Sequence, residues 1–260
     1  MSSKLGQNFL KNKEIAKKIV KAANLSAQDV VLEIGSGKGI LTEELAKYAG
    51  KVVAIEIDKD LIKLLRNKLH NNKNVEFINE DILRVNLKNL LGYKISKYKV
   101  VANLPYYITS PVIRMFLESD FPPEEMILMV QKEVAERITA EPPQMSILSV
   151  SVQYYAKPEL LFYVDKSNFS PAPEVDSAVL RISNFQFPIS NPERNNFFRV
   201  VRSGFCAKRK TLVNNLVNSF HLDKRDVEEK IKKVRILPTS RAQELDIRKW
   251  KKLAEVFKTQ

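Results

Sequence analysis

Between Val30 and Val130 the chain alternates short apolar, β-rich runs with amphipathic helical patterns. The predicted strands are Val30–Ile34, Val52–Ile57, Val75–Ile78, Tyr98–Ala102 and Met126–Val130, with later strands at Leu160–Val164 and Ala178–Ile182. The predicted helices are Lys13–Ala23, Leu41–Tyr48, Asp60–Leu69, Val112–Leu117 and Gln131–Ala140. Because parallel neighbours need a crossover connection, strands separated by helices at this spacing predict an α/β fold with a parallel, doubly wound sheet.

A second region begins near residue 184. Pro188, Pro192 and several Asn and Ser residues mark a linker over 184–193. Only helical patterns follow it, at Asn196–Phe205, Thr211–Ser219, Asp226–Lys233 and Ile247–Phe257. Residues 191–260 hold 18 Lys and Arg against 8 Asp and Glu, whereas residues 1–190 hold 25 against 22. A compact basic segment suits the phosphate backbone of a nucleic acid, and a solvated lysine-rich surface is the alternative. We therefore predict two domains, 1–183 and 184–260.

Cysteine, histidine and hydropathy exclude several protein classes. Cys206 is the single cysteine and the chain has two His, which argues against a disulfide framework and against a Cys/His zinc site. We expect no metal, and we expect Cys206 to be a packed small side chain. No stretch approaches the roughly 20 apolar residues that span a bilayer, and the N-terminus lacks the apolar region of a signal peptide. The single cysteine fits a reducing cytosol or organelle matrix, and a cytoplasmic protein is expected.

A glycine-rich turn follows the first predicted strand. Val30–Gly39 carries Glu33, Gly35 and Gly37, and its spacing is G-x-G-x-G. A dinucleotide fingerprint is G-x-G-x-x-G and would need glycine at Ile40. The turn therefore favours a nucleoside without phosphates, and a tight strand-to-helix turn without a ligand is the alternative.

Acidic and amide residues end the next three predicted strands. Glu56 can accept hydrogen bonds from two ribose hydroxyls, and Asp81 can accept from an adenine amino group. Each acid alone is as consistent with a surface ion pair. Together with the glycine turn and Asn103, they occupy the carboxyl ends of four successive strands, where open α/β sheets bind ligands. This series fits S-adenosylmethionine.

Asn103-Leu104-Pro105-Tyr106 stands between the fourth predicted strand and a helix start. Ser110 is the predicted N-cap of that helix, and Pro111 its first residue. The tetrapeptide offers an amide, backbone carbonyls and an aromatic face. These groups suit a planar amine on an aromatic ring, such as a nucleobase amino group.

Several motifs carry a family resemblance that runs nearly end to end. They are Gly6-Gln7-Asn8-Phe9-Leu10, Glu33–Gly39, Glu56-Ile57-Asp58, Glu80-Asp81, Asn103–Tyr106, Phe169–Val179, Arg209-Lys210-Thr211-Leu212 and Arg241–Leu245. With them the chain resembles the ribosomal RNA adenine dimethyltransferases of the small-subunit (KsgA) type. It departs from that pattern at Ser36, where proline is frequent, and in Glu141–Ser149, which lacks a Tyr-Gly-Arg segment.

The resemblance implies a Rossmann-like methyltransferase domain over 1–183 and a basic, all-helical RNA-binding domain over 184–260. It implies S-adenosylmethionine-dependent N6,N6-dimethylation of two adjacent adenosines near the 3′ end of small-subunit (16S-type) ribosomal RNA, in ribosome biogenesis. The partner is then the small ribosomal subunit or its precursor, without membrane attachment, and the enzyme is expected to be a monomer.

The resemblance also implies residue roles. The Asn103 side chain and the Leu104 carbonyl accept the adenosine N6–H groups, Tyr106 stacks on the target base, and Phe169 flanks the base or the methyl group. No catalytic acid or base is assigned. The implied cofactor residues are Gln7, Asn8, Glu33, Gly35, Gly37, Glu56, Asp81 and Asn103. A capping role is the alternative for Asn8 and a core role for Phe169, and Phe9 and Leu10 are expected to dock the N-terminal arm. Lys208, Arg209 and Lys210 are implied to contact RNA phosphates.

Three other functions remain open. One is a resistance methyltransferase acting on large-subunit RNA, although Leu104 and the C-terminal motifs favour the small-subunit type. Another is a ribosome-assembly or transcription factor that binds nucleic acid without catalysis, which would have no need for the Asn103–Tyr106 geometry. A small-molecule methyltransferase is disfavoured by the basic helical domain.

Overall fold

The computed structural model describes residues 8–92, 95–186 and 191–258. Its strands are β1 (Phe9–Leu10), β2 (Val30–Ile34), β3 (Lys51–Ile55), β4 (Val75–Ile78), β5 (Lys99–Asn103), β6 (Glu125–Gln131), β7 (Lys157–Val164), β8 (Phe169–Ser170) and β9 (Ser177–Ser183). Its helices are α1 (Lys13–Ala22), α2 (Ile40–Leu45), α3 (Lys59–Lys68), α4 (Leu87–Leu91), α5 (Thr109–Leu117), α6 (Lys132–Thr139), α7 (Ile147–Tyr155), α8 (Asn191–Gly204), α9 (Leu212–Phe220), α10 (Lys224–Lys233) and α11 (Ile247–Val256).

The main sheet has seven strands in the order β4-β3-β2-β5-β6-β9-β7. The pairs among β4, β3, β2, β5 and β6 are parallel, which confirms the predicted α/β class. β9 runs antiparallel to both β6 and β7 and lies between them. The sequence pattern did not predict this inversion. β7 and β9 are joined by a loop and not by a crossover helix, so they pair as antiparallel neighbours.

A second, two-stranded sheet joins the N-terminal arm to the loop after β7, which carries Pro171 and Pro173. β1 pairs antiparallel with β8, so that Phe9 faces Ser170 and Leu10 faces Phe169. The Asn12 side chain donates to that of Asn168 at 2.7 Å, and the Lys11 amide donates to the Asn168 carbonyl at 2.9 Å. Leu10 and Phe169 are both buried in the core that packs on the main sheet. The arm beyond Asn8 is therefore fixed against the loop that carries Phe169.

The chain divides into two compact units. The first comprises Met1–Ala135 and Lys157–Phe185, and the second Glu136–Ala156 and Gln186–Gln260. The predicted boundary at 183/184 assigned all of 136–156 to the first domain. In the structure α7 instead packs with the C-terminal helices, where the Tyr154 ring stacks on Phe197 with 3.9 Å between ring centroids. α8 begins at Asn191, inside the predicted linker over 184–193.

Ion pairs hold α1 at the edge of the sheet where the strands begin. The Lys99 ammonium donates to the carbonyls of Ala23 and Asn24 at 3.1 and 3.2 Å and lies 3.3 Å from the Glu125 carboxylate. Arg181 donates to the Ala22 carbonyl at 2.8 Å. These cations satisfy carbonyl groups at the C-terminal end of α1, so charge at this edge has a structural role. In the part of the chain that the structure describes, no helix is both long and apolar enough to cross a membrane.

Candidate functional site

A cavity of about 210 Å³ opens at the carboxyl ends of β2 and β5. It brings together most of the residues that the sequence predicted for a site: Asn8, Glu33, Gly35, Gly37, Glu56, Asn103, Leu104, Tyr106 and Phe169. Phe9 and Leu10 also line it, although the sequence suggested only that they dock the arm. Gln7 lies outside the described residues.

The glycine turn allows close backbone approach to this cavity. Gly35 and Gly37 have φ values of 72° and 55°, in the left-handed region. A Cβ on Gly35 would lie 3.4 Å from the Pro105 ring, and one on Gly37 would lie 3.1 Å from the Phe9 ring. Any other residue at either position would therefore be strained in backbone conformation, and one at Gly37 would also crowd the Phe9 ring.

Glu56 is held by the backbone on both sides. It is buried, its Oε2 accepts a hydrogen bond from the Gly37 amide at 3.0 Å, and its Oε1 accepts one from the Asp58 amide at 3.1 Å. A carboxylate has about four lone-pair sites, so each oxygen can accept one further donor from the cavity. Two adjacent hydroxyl groups are such a pair of donors.

Glu33 is buried in the same cavity without matching partners. Glu33 Oε2, Ser36 Oγ and Thr42 Oγ1 have no hydrogen-bond partner among the described residues. Burial raises the pKa of Glu33, the neighbouring Thr42 and Ser36 hydroxyls lower it, and the Glu56 charge raises it, and together these effects place it at about 7. A cationic or N–H donor in the cavity would therefore find an acceptor that the protein leaves unsatisfied.

Asp81 lines a neighbouring cavity of about 350 Å³, which also reaches Gly35 and Glu56. Its Oδ1 accepts from the Leu83 amide at 3.0 Å, and its Oδ2 lies 3.4 Å from Arg84 Nε. Ile57 and Tyr107 add exposed apolar surface to this cavity. Neither Ile57 nor Tyr107 was predicted as a site residue, although each directly follows one, Glu56 and Tyr106 respectively.

Asn103 ends β5, and Leu104 continues its direction because its amide donates to the Met129 carbonyl at 3.1 Å. Within the described ranges no hydrogen bond engages the Asn103 side chain or the Leu104 carbonyl. The predicted N-cap at Ser110 is wrong. The Ile108 amide donates to the Pro105 carbonyl at 3.1 Å, so a short 3₁₀ turn begins at Tyr106 and α5 follows from Thr109.

Tyr106 and Phe169 are the two aromatic residues of the predicted site that line the cavity. The Tyr106 hydroxyl and Ser177 Oγ share a hydrogen bond of 2.9 Å. Burial raises the pKa of Tyr106, so its hydroxyl is protonated at neutral pH. Phe169 is both a core residue and part of the cavity wall, so the two alternatives for this side chain are compatible.

The predicted RNA-contact residues lie in the second unit. Lys208, Arg209 and Lys210 are exposed in the loop between α8 and α9. The buried side chain of Asn215 donates to the carbonyls of Gly204 and Ala207 at 2.6 and 3.1 Å. It thereby holds the start of the loop against α9, so the three basic side chains project from a fixed backbone.

The family model and two curated relatives that match this chain are all ribosomal RNA methyltransferases. Residues 1–259 match the family model described as ribosomal RNA adenine dimethylase. A ribosomal RNA small subunit methyltransferase A from Dehalococcoides mccartyi is 42% identical over 97% of this chain and 87% of its own length. One of the same name from Clostridioides difficile is 39% identical over 99% and 91%.

Two solved structures of ribosomal RNA methyltransferase or dimethyladenosine transferase type share this fold. The 23S rRNA methyltransferase ErmE superposes with a TM-score of 0.79 at 28% identity, over 97% of this chain and all of its own. A dimethyladenosine transferase from Plasmodium falciparum gives 0.78 at 27% identity, over 94% and 95%.

Proposed function

The chain belongs to the ribosomal RNA adenine dimethylase family, and from that premise we propose that it dimethylates N6 of two adjacent adenosines near the 3′ end of small-subunit ribosomal RNA. It is an S-adenosylmethionine-dependent ribosomal RNA adenine dimethyltransferase acting on small-subunit RNA. The target positions and the residue roles are the proposal. The observation that carries it is the pair of unengaged acceptors, the Asn103 side-chain oxygen and the Leu104 carbonyl, at the wall of the cavity.

Three carboxylates and the glycine turn suit the cofactor, which when bound supplies an electrophilic methyl group. Glu56 would accept the two ribose hydroxyls, because each of its oxygens keeps a lone pair beside its backbone donor. Glu33 would accept the ammonium group of the methionine part, which supplies the donor that its buried Oε2 lacks. Asp81, in the adjoining cavity, would accept the adenine amino group.

The tetrapeptide would orient the substrate amine. An adenosine amino group delocalises its lone pair into the ring and is a weak nucleophile. If Asn103 Oδ1 and the Leu104 carbonyl accept its two N–H hydrogens, the lone pair turns towards the methyl group. Orientation of this kind supplies several kcal/mol of barrier reduction. A general base is not needed before transfer, because the methylated nitrogen is acidic enough to lose its proton to water.

Aromatic surfaces would hold the target base. Tyr106 and Phe169 line the same cavity as Asn103, and base–aromatic stacking is worth roughly 1–3 kcal/mol per base. The two bases must enter in turn, because the cavity contains a single Asn103–Tyr106 segment.

The second unit would bind the RNA backbone through Lys208, Arg209 and Lys210, so binding should weaken steeply as salt increases. We propose that the enzyme acts as a cytoplasmic monomer on the small ribosomal subunit or its precursor.

The test uses small ribosomal subunits that lack 3′-end adenosine methylation. They are incubated with the protein and methyl-labelled S-adenosylmethionine, and the products are mapped by nuclease digestion and mass spectrometry. We expect N6,N6-dimethyladenosine at two adjacent 3′-end positions. Label on naked large-subunit RNA alone would overturn the proposal in favour of the resistance-type activity. Intact RNA binding without any label would favour a binding factor.

A further inference from the structure

Tyr106 carries an aromatic ring into the cavity from a short turn and not from a strand. It is the first residue of the 3₁₀ turn Tyr106–Ile108, three residues beyond the last hydrogen-bonded pair of β5 and β6, Asn103 and Met129. The residue is half-buried, so protein packing encloses only part of it. A residue that stacks on a substrate base needs a further constraint to fix the plane of its ring.

Ser177 supplies a fixed point for the far end of that ring. It is fully buried at the first position of β9, where it is in register with Gln131 of β6 and Val164 of β7. The preceding residue is also held, because the Asp176 carbonyl accepts from the Lys132 amide at 3.0 Å and Asp176 Oδ1 accepts from the Lys166 amide at 3.1 Å. Ser177 Oγ, 2.9 Å from the Tyr106 hydroxyl, therefore belongs to the rigid sheet.

We propose that Ser177 is a positioning residue for methyl transfer: through its hydrogen bond to the Tyr106 hydroxyl it fixes the plane on which the target adenine stacks. The inference rests on the proposed function, since it requires that Tyr106 stacks on the substrate base. It assigns to β9 a role in the reaction that the cavity wall does not reveal, because Ser177 lies in the Phe169–Val179 motif but does not line the cavity itself.

The hydrogen bond should affect the transfer rate and leave substrate affinity nearly unchanged. Stacking tolerates a tilted or slightly displaced ring, because every base presents a flat face. Methyl transfer does not tolerate it, because the amine must meet the methyl group within a narrow range of distance and angle. A residue needed only for packing or folding would instead lower stability and affinity together.

The test compares variants at both ends of the hydrogen bond by single-turnover methyl transfer to undermethylated small subunits. Ser177→Ala and Tyr106→Phe should each slow transfer roughly 10-fold, which corresponds to about 1.4 kcal/mol of activation free energy. The double variant should be no slower than either single variant, because both changes remove the same bond. Dissociation constants for the subunit and for S-adenosylmethionine should stay within about twofold of the unsubstituted values, a range equivalent to roughly 0.4 kcal/mol.

Two further substitutions separate the hydrogen bond from packing. Ser177→Cys keeps nearly the same volume with a weak hydrogen-bonding group and should be slow, whereas Ser177→Thr keeps the hydroxyl and should recover most of the rate. Additive losses in the double variant would overturn the proposal. A normal transfer rate in Tyr106→Phe would also overturn it. This variant still tests the proposal if substitutions at Ser177 impair folding. An unsubstituted enzyme that transfers no methyl group would refute the proposed function instead.

Discussion

Replacing Glu33 by Gln should stabilise the protein at alkaline pH while weakening its cofactor affinity. Glu33 is about 1% exposed, its Oε2 has no partner among the described residues, and the charged Glu56 lies close by. Burial therefore raises the pKa of its carboxyl from 4.5 to about 7. A Gln at this position keeps the shape and never ionises, so it removes the cost of a buried charge.

The sign of the effect follows from proton binding. Between pH 4.5 and about 7 the folded chain retains a proton that the unfolded chain has released, so the free energy of unfolding falls as pH rises. The raised pKa corresponds to a loss on the order of 3 kcal/mol, complete above pH 7 and absent below pH 4.5. Glu33→Gln should match the unsubstituted protein at pH 5 and exceed its stability at pH 8. In a unit of this size the Tm difference at pH 8 would be roughly 6–12 °C.

The assay is thermal unfolding without cofactor at pH 5, 6, 7 and 8, followed by titration with S-adenosylmethionine at pH 8. The control is Glu76→Gln, an exposed carboxylate of β4 that pairs with Lys51 at 2.8 Å and should change stability by less than about 1 kcal/mol. Loss of a charged acceptor should raise the cofactor dissociation constant about 10- to 100-fold. A stability difference that is the same at pH 5 and pH 8 would refute a raised Glu33 pKa. Unchanged cofactor affinity would remove Glu33 from the binding site.

Four other substitutions test single parts of the site. Asn103→Ala should keep the cofactor dissociation constant and slow single-turnover transfer at least about 100-fold, because misoriented reactants lose that much rate; near-normal turnover would exclude its role. Glu56→Gln should weaken cofactor binding about 10-fold or more in calorimetry, because an NH2 group replaces one carboxylate oxygen and cannot accept from either a backbone amide or a ribose hydroxyl. Charge reversal at Lys208–Lys210 should lower subunit affinity and flatten its salt dependence in filter binding, with cofactor affinity unchanged. Asn215→Ala should reproduce part of that loss, because it releases the loop that carries the three basic residues; equal RNA binding at matched salt would contradict either claim.

The fold was predictable where elements repeat with a clear period. β2 begins and ends at the predicted residues, and the central parallel strands and crossover helices lie within a few residues of expectation. α7 was missed because Ile147–Tyr155 is rich in β-branched and aromatic residues and lacks a helical charge pattern. It is initiated instead by the reciprocal hydrogen bonds of Ser146 and Ser149. Likewise, the antiparallel insertion of β9 depends on a loop path that local sequence does not encode.

The site was predictable as a series of strand ends but not as a cavity. Parallel topology requires that Glu33, Glu56 and Asn103 approach one another, and the cavity wall contains all three. Contacts that arise from folding the arm and the last strands over this edge could not be read in the same way. Phe9 reaches the cavity because β1 pairs with β8, and Ser177 reaches Tyr106 because β9 lies beside β6.

Glu33 and Glu56 show how one site gives two carboxylates different properties. Both are buried at the same edge of the sheet, yet Glu56 accepts two backbone amides, whereas one oxygen of Glu33 has no hydrogen-bond partner within the described ranges. Glu56 therefore keeps the two amides satisfied before a ligand arrives and can offer its remaining lone pairs to neutral hydroxyl groups. Glu33 carries a desolvation cost that a cationic group in the cavity would reduce. A ligand that presents hydroxyls at one end and an ammonium at the other meets both requirements at once, and a ligand with only one of these groups leaves one carboxylate unmatched. If the two carboxylates bind the cofactor as proposed, the Glu33→Gln and Glu56→Gln variants should lose affinity for different halves of it. Analogues without the ammonium should then distinguish the unsubstituted enzyme from Glu56→Gln but not from Glu33→Gln.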